Sequence, residues 1–339
     1  MAFVLATILL SLLGLWLLYA IISLVIILRF NADVSTALTP SLPADSFNGK
    51  VVWITGAGSG LGEQLALCLA ERSSVKVMIL SSRKKEALER VAAECHKKRP
   101  NVQIHVLPMD LSDLASLPDK VQEALNLLEE GNKMDVLINA AGVTTRSFAT
   151  DSNFHLDEYV TRVNYLGPVR LLKCLLHQNQ LPTSLIQLSS IAGKIGVPVR
   201  TSYSGSKFAL HGWLEALMIE SVLQQRQLYV LGCILGSIST DLGNHALVNV
   251  TENGTVETLS EMDENLGRGL DPATVAERIL AVSYAQKYNE TWIAPRHELI
   301  PVLYFATYFR HTAFVFLTKV MARKYAVTNN NKQKNKKED

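Results

Sequence analysis

Uncharged and mostly apolar residues fill the start of the chain from Met1 to Leu28, and Arg29 is the first charged residue. As a helix this run would be about 40 Å long, which exceeds the roughly 30 Å hydrocarbon core of a bilayer. It lacks the basic start and the small-residue cleavage site of a signal peptide. A helix this apolar on every face does not suit the core of a soluble protein. The pattern therefore predicts a retained membrane anchor over residues 1–28.

After a polar linker over residues 29–49, short apolar runs alternate with longer segments of helical periodicity. Each run has the length and the β-branched content of a strand that is buried on both faces. This alternation predicts an α/β fold, a Rossmann-type doubly wound parallel sheet. The predicted strands are 51–55, 75–80, 103–107, 135–138, 184–188, 229–235 and 290–294. The predicted helices are 63–70, 84–98, 113–128, 164–177 and 203–225.

Length and composition narrow the classes of protein. Without the anchor about 300 residues remain, enough for one large catalytic domain, which we place at 50–298. The net charge of +2 gives no indication of a nucleic acid or another polyanionic partner. The four cysteines lie in apolar surroundings without metal-ligand or redox spacing. They are interpreted as core thiols, and no metal site is predicted.

Three glycines follow the first predicted strand in the pattern Gly56-x-x-x-Gly60-x-Gly62. Gly56 allows a tight exit from the strand, Gly60 lets the main chain approach a pyrophosphate, and Gly62 lets the next helix pack closely on the sheet. The free N–H groups at the start of that helix favour phosphate. The order of strand, glycine turn and helix predicts a dinucleotide site, with Ser59 and Leu61 of the turn among its contacts.

The residues after the second strand indicate which dinucleotide binds. An NAD site would place an acid there for the ribose hydroxyls, whereas a 2′-phosphate requires a cation. Arg83 and Lys84 stand at this position, and the first acid is Glu86. The sequence therefore predicts NADP(H) with Arg83 as the main contact; the alternative is that both cations only cover a solvated helix start. Asp110, after the third strand, either contacts the adenine amino group or simply precedes a helix.

Tyr203 and Lys207 are four residues apart on a predicted helix, so both side chains lie on one face. A phenol has a pKa of about 10, and a neighbouring ammonium favours the phenolate. Lowering that pKa by about three units needs roughly 4 kcal/mol, which Lys207 and the charge of an oxidised nicotinamide together can supply. Tyr203 would then exchange a proton with a carbonyl oxygen. Ser190, at the end of a strand, would hydrogen-bond the same oxygen.

Taken in order, these motifs resemble the short-chain dehydrogenase/reductase family over about residues 50–294. The resemblance implies that Asn164 positions a proton-relay water, that Lys207 hydrogen-bonds the nicotinamide ribose, and that Thr240 touches the carboxamide. It also places Asn139 among the cofactor contacts. The motifs that carry it are the glycine turn 55–62, Asp110-Leu111, Asn139-Ala-Ala-Gly142, Asn164, Ser190, Tyr203-x-x-x-Lys207 and Leu235-Gly236.

A narrower resemblance is to the endoplasmic-reticulum branch of dehydrogenase/reductase family member 7, near the 11β-hydroxysteroid dehydrogenases. It rests on the apolar N-terminus, Val51-Val-Trp-Ile-Thr-Gly56, Val163-Asn-Tyr-Leu-Gly167 and the aromatic C-terminal segment. Two positions depart from the family pattern: Ala140 replaces the usual second Asn of Asn-Asn-Ala-Gly, and Leu235 replaces the usual Pro of Pro-Gly. Neither is among the four expected catalytic residues, which are Asn164, Ser190, Tyr203 and Lys207, so activity is expected.

Two later segments have less regular patterns. Residues 241–271 form a polar insertion where this family places its substrate-covering loop, and this insertion is either a lid or disordered. Residues 299–325 are rich in Leu, Phe, Tyr and Val but are interrupted by Arg310, His311 and Lys319. The charges argue against a second span. They favour an amphipathic segment that rests on the membrane or packs on the domain or in a dimer.

The end of the chain carries two signals that disagree about membrane sidedness. Residues 326–339 form a Lys-rich tail that is predicted to be disordered. It ends in Lys336-Lys-Glu-Asp339, which resembles a dilysine endoplasmic-reticulum retrieval signal read in the cytosol. Glycosylation sequons at Asn249, Asn253 and Asn289 would matter only in a luminal domain. The sequence leaves the side of the membrane open.

The sequence as a whole predicts a single-pass endoplasmic-reticulum membrane protein that uses NADP(H) to interconvert a lipophilic ketone or aldehyde and an alcohol. Steroids, retinoids and sphingoid bases are candidate substrates. The bilayer and a second copy of the chain are candidate partners. The alternative function is a catalytically silent NADP(H)-binding sensor or scaffold of the membrane, against which the intact Ser190, Tyr203 and Lys207 argue.

Overall fold

The computed structural model describes residues 2–259, 269–300, 302, 315 and 319. Most of the predicted amphipathic segment 299–325 and the whole predicted tail 326–339 lie outside the described residues. The same is true of residues 260–268, in the predicted lid.

The described residues form nine strands, which include one at each of the seven predicted positions. They are β1 (Val51–Thr55), β2 (Val77–Ser81), β3 (Gln103–Val106), β4 (Val136–Asn139), β5 (Ser184–Ser190), β6 (Tyr229–Leu235), β7 (Leu247–Val250), β8 (Val256–Thr258) and β9 (Glu290–Ile293). Seven of them form a parallel sheet in the order β3-β2-β1-β4-β5-β6-β9. This order confirms the doubly wound fold. It also places the switch point between β1 and β4, where open α/β sheets bind ligands.

The helices show more differences from the prediction. They are α1 (Ala2–Phe30), α2 (Val34–Ala37), α3 (Gly60–Arg72), α4 (Lys85–Lys98), α5 (Leu117–Asn126), α6 (Phe154–Thr161), α7 (Gly167–His177), α8 (Thr201–Leu223), α9 (Pro272–Ala285) and α10 (Arg296–Ile300). A π-helical turn, Arg162–Leu166, joins α6 to α7, so the helix predicted over 164–177 begins ten residues earlier. Helix α9 was not predicted, although the Asp271 side chain caps it and Pro272 stands at its first position.

Alternate residues of the central strand supply two cores. Val52 and Ile54 of β1 pack in one apolar cluster with residues of α3, α4 and α9. Val51 and Trp53 pack in another with residues of α5, α7 and α8. Side chains of a strand point alternately to its two faces, and all five residues of β1 are buried. The sheet is therefore covered by helices on both faces, as its apolar strands require.

The end of the apolar helix α1 packs against the sheet. It is the one helix in the described part of the chain that is long and apolar enough to span a membrane. Near its end, Ile27 is only 1% exposed and packs in a cluster with Trp292 of β9. Ala32 then pairs antiparallel with Ile293, at the edge of the sheet. The residues directly after α1 therefore lie along the sheet edge.

Part of the insertion at 241–271 is a hairpin. Strands β7 and β8 pair antiparallel, and Leu247 of β7 pairs with Thr145 in the segment that follows β4. Two backbone hydrogen bonds of 2.8 Å, from Leu247 N–H to Thr144 O and from Arg146 N–H to Leu247 O, fasten this contact. The described part of the predicted lid is thus docked beside the C-terminal ends of the strands.

Candidate active site

The glycine turn after β1 has space for main chain only. Gly56 has a φ of +70°, and a Cβ there would lie 2.6 Å from the backbone of Ala141. A Cβ on Gly62 would lie 2.2 Å from the carbonyl oxygen of Gly56. Both contacts are impossible for a side chain. The close approach presents the start of α3, with its unsatisfied N–H groups, at the end of β1 as a cradle for a pyrophosphate.

The other predicted residues of the turn lie around this cradle. Ser59 is exposed at the N-cap of α3 and its hydroxyl makes no capping hydrogen bond, whereas Leu61 packs partly into the core. Thr240, in the loop after β6, lies 3.5 Å from the place of a Cβ on Gly60. The structure therefore brings Thr240 to the glycine turn from the distant part of the sequence. These residues fit a dinucleotide.

Asn139 lies at the end of β4 with an unusual hydrogen-bond balance. Its amide nitrogen donates to Oε1 of Gln187 at 3.0 Å, but its own side-chain oxygen is buried without a partner. A buried acceptor of this kind normally finds a donor. Its position beside the glycine turn fits the cofactor contact that the resemblance implies. Gln187, which the sequence reasoning missed, fixes the Asn139 side chain from the neighbouring strand β5.

The side chains at the predicted adenosine end form a small group. Arg83 is exposed after β2, and its Nη1 donates to the hydroxyl of Tyr159 at 2.7 Å. Asp110 uses one carboxylate oxygen to accept from the N–H and the hydroxyl of Ser112, both at 2.8 Å. Burial raises the pKa of Tyr159, and Asp110 adds to this while Arg83 opposes it. Tyr159 is a residue that the sequence reasoning missed, since nothing in its spacing marks it.

Ser190, Tyr203 and Lys207 meet at the C-terminal end of the sheet. Ser190 ends β5, and its side chain lies near the hydroxyl of Tyr203 on α8. Lys207, one helical turn further, donates from Nζ to the carbonyl oxygen of Leu188 at 3.3 Å. Tyr203 and Lys207 are 7% and 5% exposed. The three residue types that the sequence reasoning joined are therefore in mutual reach, and their catalytic roles remain predictions.

Burial governs the protonation of this group. It raises the pKa of Tyr203 above its usual value, against the weaker opposing effects of the nearby Ser190 side chain and of Arg200. It lowers the pKa of Lys207 to about 8. The spacing to Lys207 predicts a lowered tyrosine pKa, and in the folded protein the pKa of Tyr203 is raised instead. The cause is desolvation, which disfavours the charged form of either group.

Asn164 occupies the π-helical turn between α6 and α7. Its side-chain oxygen accepts from Val143 N–H at 2.9 Å, and its amide nitrogen donates to Val143 O at 2.9 Å and to the hydroxyl of Ser206 at 3.0 Å. Such turns often occur at functional sites. The side chain thus joins the segment after β4 to the residue that precedes Lys207, so Asn164 organises the site. Its water-positioning role stays a prediction.

His211 extends the same face of α8 one turn beyond Lys207. It is 6% exposed, Ser189 Oγ lies 2.5 Å from its Nε2, and its Nδ1 is buried without a partner. Burial, and then Lys194 and Lys207, lower its pKa to about 3. The imidazole is therefore neutral at physiological pH and holds the strand position next to Ser190.

The thiols follow their interpretation from the sequence. All four cysteines are free, with Cys95 and Cys233 buried and Cys68 and Cys174 half-buried. Burial raises the pKa of each thiol. Within the described ranges, no group of three or more His, Cys, Asp or Glu side chains is placed to hold a metal ion.

Sequence comparisons find relatives of one kind. A model of the short chain dehydrogenase family matches residues 50–250. A dehydrogenase/reductase SDR family protein 7-like of Anopheles gambiae is 34% identical over 276 residues, which cover 77% of this chain and 83% of that protein. Dehydrogenase/reductase SDR family member 7 of Homo sapiens is 30% identical over 288 residues, which cover 83% of this chain and 80% of that protein.

Solved structures share the fold at lower identity. A short chain dehydrogenase/reductase from Burkholderia phymatum in complex with NAD is 22% identical, with a TM-score of 0.63 over 75% of this chain and 92% of that one. An alcohol dehydrogenase from Thermococcus sibiricus complexed with 5-hydroxy-NADP is 20% identical, with a TM-score of 0.59 over 73% and 96%. Similarity at this identity shows the Rossmann-like fold.

The family match spans more than half of the chain, and the relatives cover most of it. These findings confirm the resemblance to dehydrogenase/reductase family member 7. They also support an oxidoreductase that acts on CH–OH groups with a nicotinamide dinucleotide cofactor. By its matched region, its sheet and its relatives, this chain belongs to the short-chain dehydrogenase/reductase family.

Proposed function

We propose that this protein is a membrane-bound, NADP(H)-dependent oxidoreductase that interconverts a lipophilic ketone or aldehyde and the corresponding alcohol. The observation that carries the proposal is that the side chains of Ser190 and Tyr203 lie close together, with Lys207 one turn beyond Tyr203 on the same helix. A bound nicotinamide would supply or accept the hydride. The glycine turn, Thr240 and Arg83 would hold that cofactor.

The protein's own groups handle the proton and the substrate oxygen. In the reducing direction Tyr203 donates its hydroxyl proton to the carbonyl oxygen, and Ser190 donates a hydrogen bond to the same atom. The raised pKa of Tyr203 keeps that proton in place at neutral pH. Lys207 stabilises the phenolate that remains and orients the nicotinamide ribose. Asn164 holds the loop after β4 against α8, which fixes the distance between these groups.

The position of the anchor supports a lipophilic substrate. Ile191 and Ile195, in the segment directly after Ser190, pack against the apolar cluster that contains Ile27 of α1 and Ile234 of β6. The end of the proposed anchor is therefore next to the loop that carries the catalytic serine. A substrate dissolved in the bilayer would have a short path to Tyr203.

The location and the assembly are further parts of the proposal. We place the protein in the endoplasmic-reticulum membrane as a single-pass protein, in which the apolar helix α1 forms the span. A homodimer is supported by Ile219, Val222 and Leu223 on the last turns of α8, which are 63%, 77% and 76% exposed. Exposed apolar patches of this kind often mark interfaces.

A substrate panel tests the proposal. Full-length protein reconstituted in nanodiscs should oxidise NADPH with some steroid, retinoid or sphingoid-base carbonyl compounds, and should be slower with short water-soluble aldehydes. NADPH binding without turnover of any compound would favour the silent sensor or scaffold instead. Turnover only of the water-soluble aldehydes would contradict the lipophilic substrate class.

A further inference from the structure

Arg83 and Tyr159 are joined across the switch point of the sheet. Arg83 follows β2, and Tyr159 lies on α6, where it packs against the same apolar cluster as Val143, which follows β4. Strand β1 lies between β2 and β4. The 2.7 Å hydrogen bond from Arg83 to Tyr159 therefore spans the C-terminal end of β1, above the place where the glycine turn begins.

Arg83 is hydrogen-bonded in this position without being paired to a carboxylate of the described residues. Within the part of the chain that the structure describes, its bonding partner is a neutral hydroxyl and no carboxylate forms an ion pair with it. The nearby acid, Asp110, directs one oxygen to Ser112. A guanidinium has five N–H donors in a fixed fork, so one bond to Tyr159 leaves donors for a phosphate.

The Tyr159 hydroxyl can act as both acceptor and donor of hydrogen bonds. It accepts from Arg83 and still has a proton to donate. Burial raises the pKa of Tyr159, so the phenol stays protonated at neutral pH. An exposed arginine side chain also loses conformational entropy when it is fixed. Because the hydrogen bond to Tyr159 already holds Arg83, less of this entropy is lost when a ligand binds.

We propose that Tyr159 is a positioning residue that fixes Arg83 over the ribose 2′ position of the cofactor, so that the two residues together select a 2′-phosphorylated dinucleotide. The inference rests on the proposed NADP(H) preference. It adds to that preference a second residue, Tyr159, which acts by holding Arg83 in place. We assign no comparable role in binding the 2′-phosphate to Lys84, the adjacent cation.

The test is a double-mutant cycle on the full-length protein, with dissociation constants for NADPH and NADH measured by fluorescence. Tyr159→Phe should weaken NADPH about five- to tenfold and NADH less than about twofold, because one hydrogen bond to a charged group is lost. In the Arg83→Ala background, Tyr159→Phe should have almost no further effect. The fragments 2′,5′-ADP and 5′-AMP should reproduce the same contrast without the nicotinamide.

Two variants serve as controls. Tyr284→Phe removes a tyrosine hydroxyl whose ring packs on Phe47, away from the site, and should change neither constant. Lys84→Ala removes the neighbouring charge and should affect NADPH less than Arg83→Ala does. Equal weakening of NADPH and NADH by Tyr159→Phe would overturn the inference, because it would indicate a packing role.

The cycle separates this inference from the proposed function. If Arg83→Ala selectively weakens NADPH but Tyr159→Phe does not, the positioning role is wrong and the NADP(H) preference stands. The positioning role is also wrong if the two substitutions act independently and multiply. If Arg83→Ala weakens both cofactors equally, the preference and the positioning role fall together.

Discussion

The ammonium nitrogen of Lys207 lies 5.8 Å from the centre of the Tyr203 ring, one helical turn along α8. Burial favours the neutral form of both groups, which raises the pKa of Tyr203 and lowers the pKa of Lys207 to about 8. At neutral pH Tyr203 therefore keeps its proton, while Lys207 is charged in most molecules of the protein. This is the state that proton donation to a carbonyl requires.

Carbonyl reduction should lose activity as the pH rises through about 8. Lys207, whose pKa is lowered to about 8, then loses the charge that stabilises the phenolate, whereas Tyr203 is still protonated. The measurement is kcat/KM for reduction from about pH 6 to 10. Lys207→Arg, which stays charged over this range, should show no such decline in whatever activity it retains. A wild-type profile flat to about pH 10 would be inconsistent with this account.

Substitution of Arg83 by Ala should weaken NADPH about ten- to hundredfold and NADH far less. A charged hydrogen bond contributes about 1.5–3 kcal/mol, and only NADPH carries the 2′-phosphate that would receive it. Titration of each cofactor against the wild type and the variant measures the effect. Equal losses for the two cofactors would show that Arg83 does not bind the 2′-phosphate.

Stability should fall below about pH 6.5 because of His211. Its pKa is lowered to about 3 in the folded protein, so the unfolded chain takes up a proton first as the pH falls. The stabilisation is therefore complete above about 6.5 and decreases by about 1.4 kcal/mol per pH unit below it. Melting temperatures at neutral and acidic pH, compared between wild type and His211→Gln, measure this. Equal acid sensitivity of the two proteins would exclude His211 as a cause.

Two truncations should separate the anchor from its docking contact. Removal of residues 1–30 deletes Ile27, which is 1% exposed, and the Phe30 carbonyl that accepts from Arg278 at 2.6 Å. Removal of residues 1–24 keeps both. Compared with the shorter deletion, the longer one should lower the free energy of unfolding by about 2–3 kcal/mol more. It should also lower the melting temperature by roughly 5–10 °C more. Identical melting of the two proteins would mean that this contact contributes nothing.

The shorter truncation also tests the membrane topology. It should change the protein from integral to peripheral behaviour, because the predicted amphipathic segment 299–325 would still hold it at the membrane. Carbonate extraction and liposome flotation check this. Resistance to carbonate like that of the full chain would mean that the segment inserts deeply. A monodisperse protein that ignores liposomes would mean that the segment packs within the fold or a dimer.

The sheet was predictable because most of its strands are short apolar runs that are buried on both faces. Glycine positions such as Gly56 and Gly62 were equally readable, because only a residue without a Cβ fits where they approach the neighbouring backbone. Ser190, Tyr203 and Lys207 were predicted from the order in which their motifs come after the glycine turn. The local sequence pattern was sufficient to predict a residue's place wherever a single strand, helix or turn determines it.

Contacts between distant elements were not predictable in this way. Tyr159 meets Arg83 only because α6 and β2 converge at the switch point. The docking of the residues after the anchor depends on the edge of β9, about 260 positions later in the chain. The direction of the Tyr203 pKa was also unreadable, because it depends on burial and not on the spacing to Lys207. In each case a property of the packed protein decided the outcome.

The central claim is that Tyr203 passes the proton in an NADP(H)-linked reduction. The most direct measurement compares NADPH oxidation and NADPH binding for the wild type and Tyr203→Phe, with a substrate from the panel. The account predicts that turnover falls by at least about a hundredfold while the dissociation constant of NADPH changes little. Appreciable turnover by Tyr203→Phe, with NADPH still bound, would contradict it.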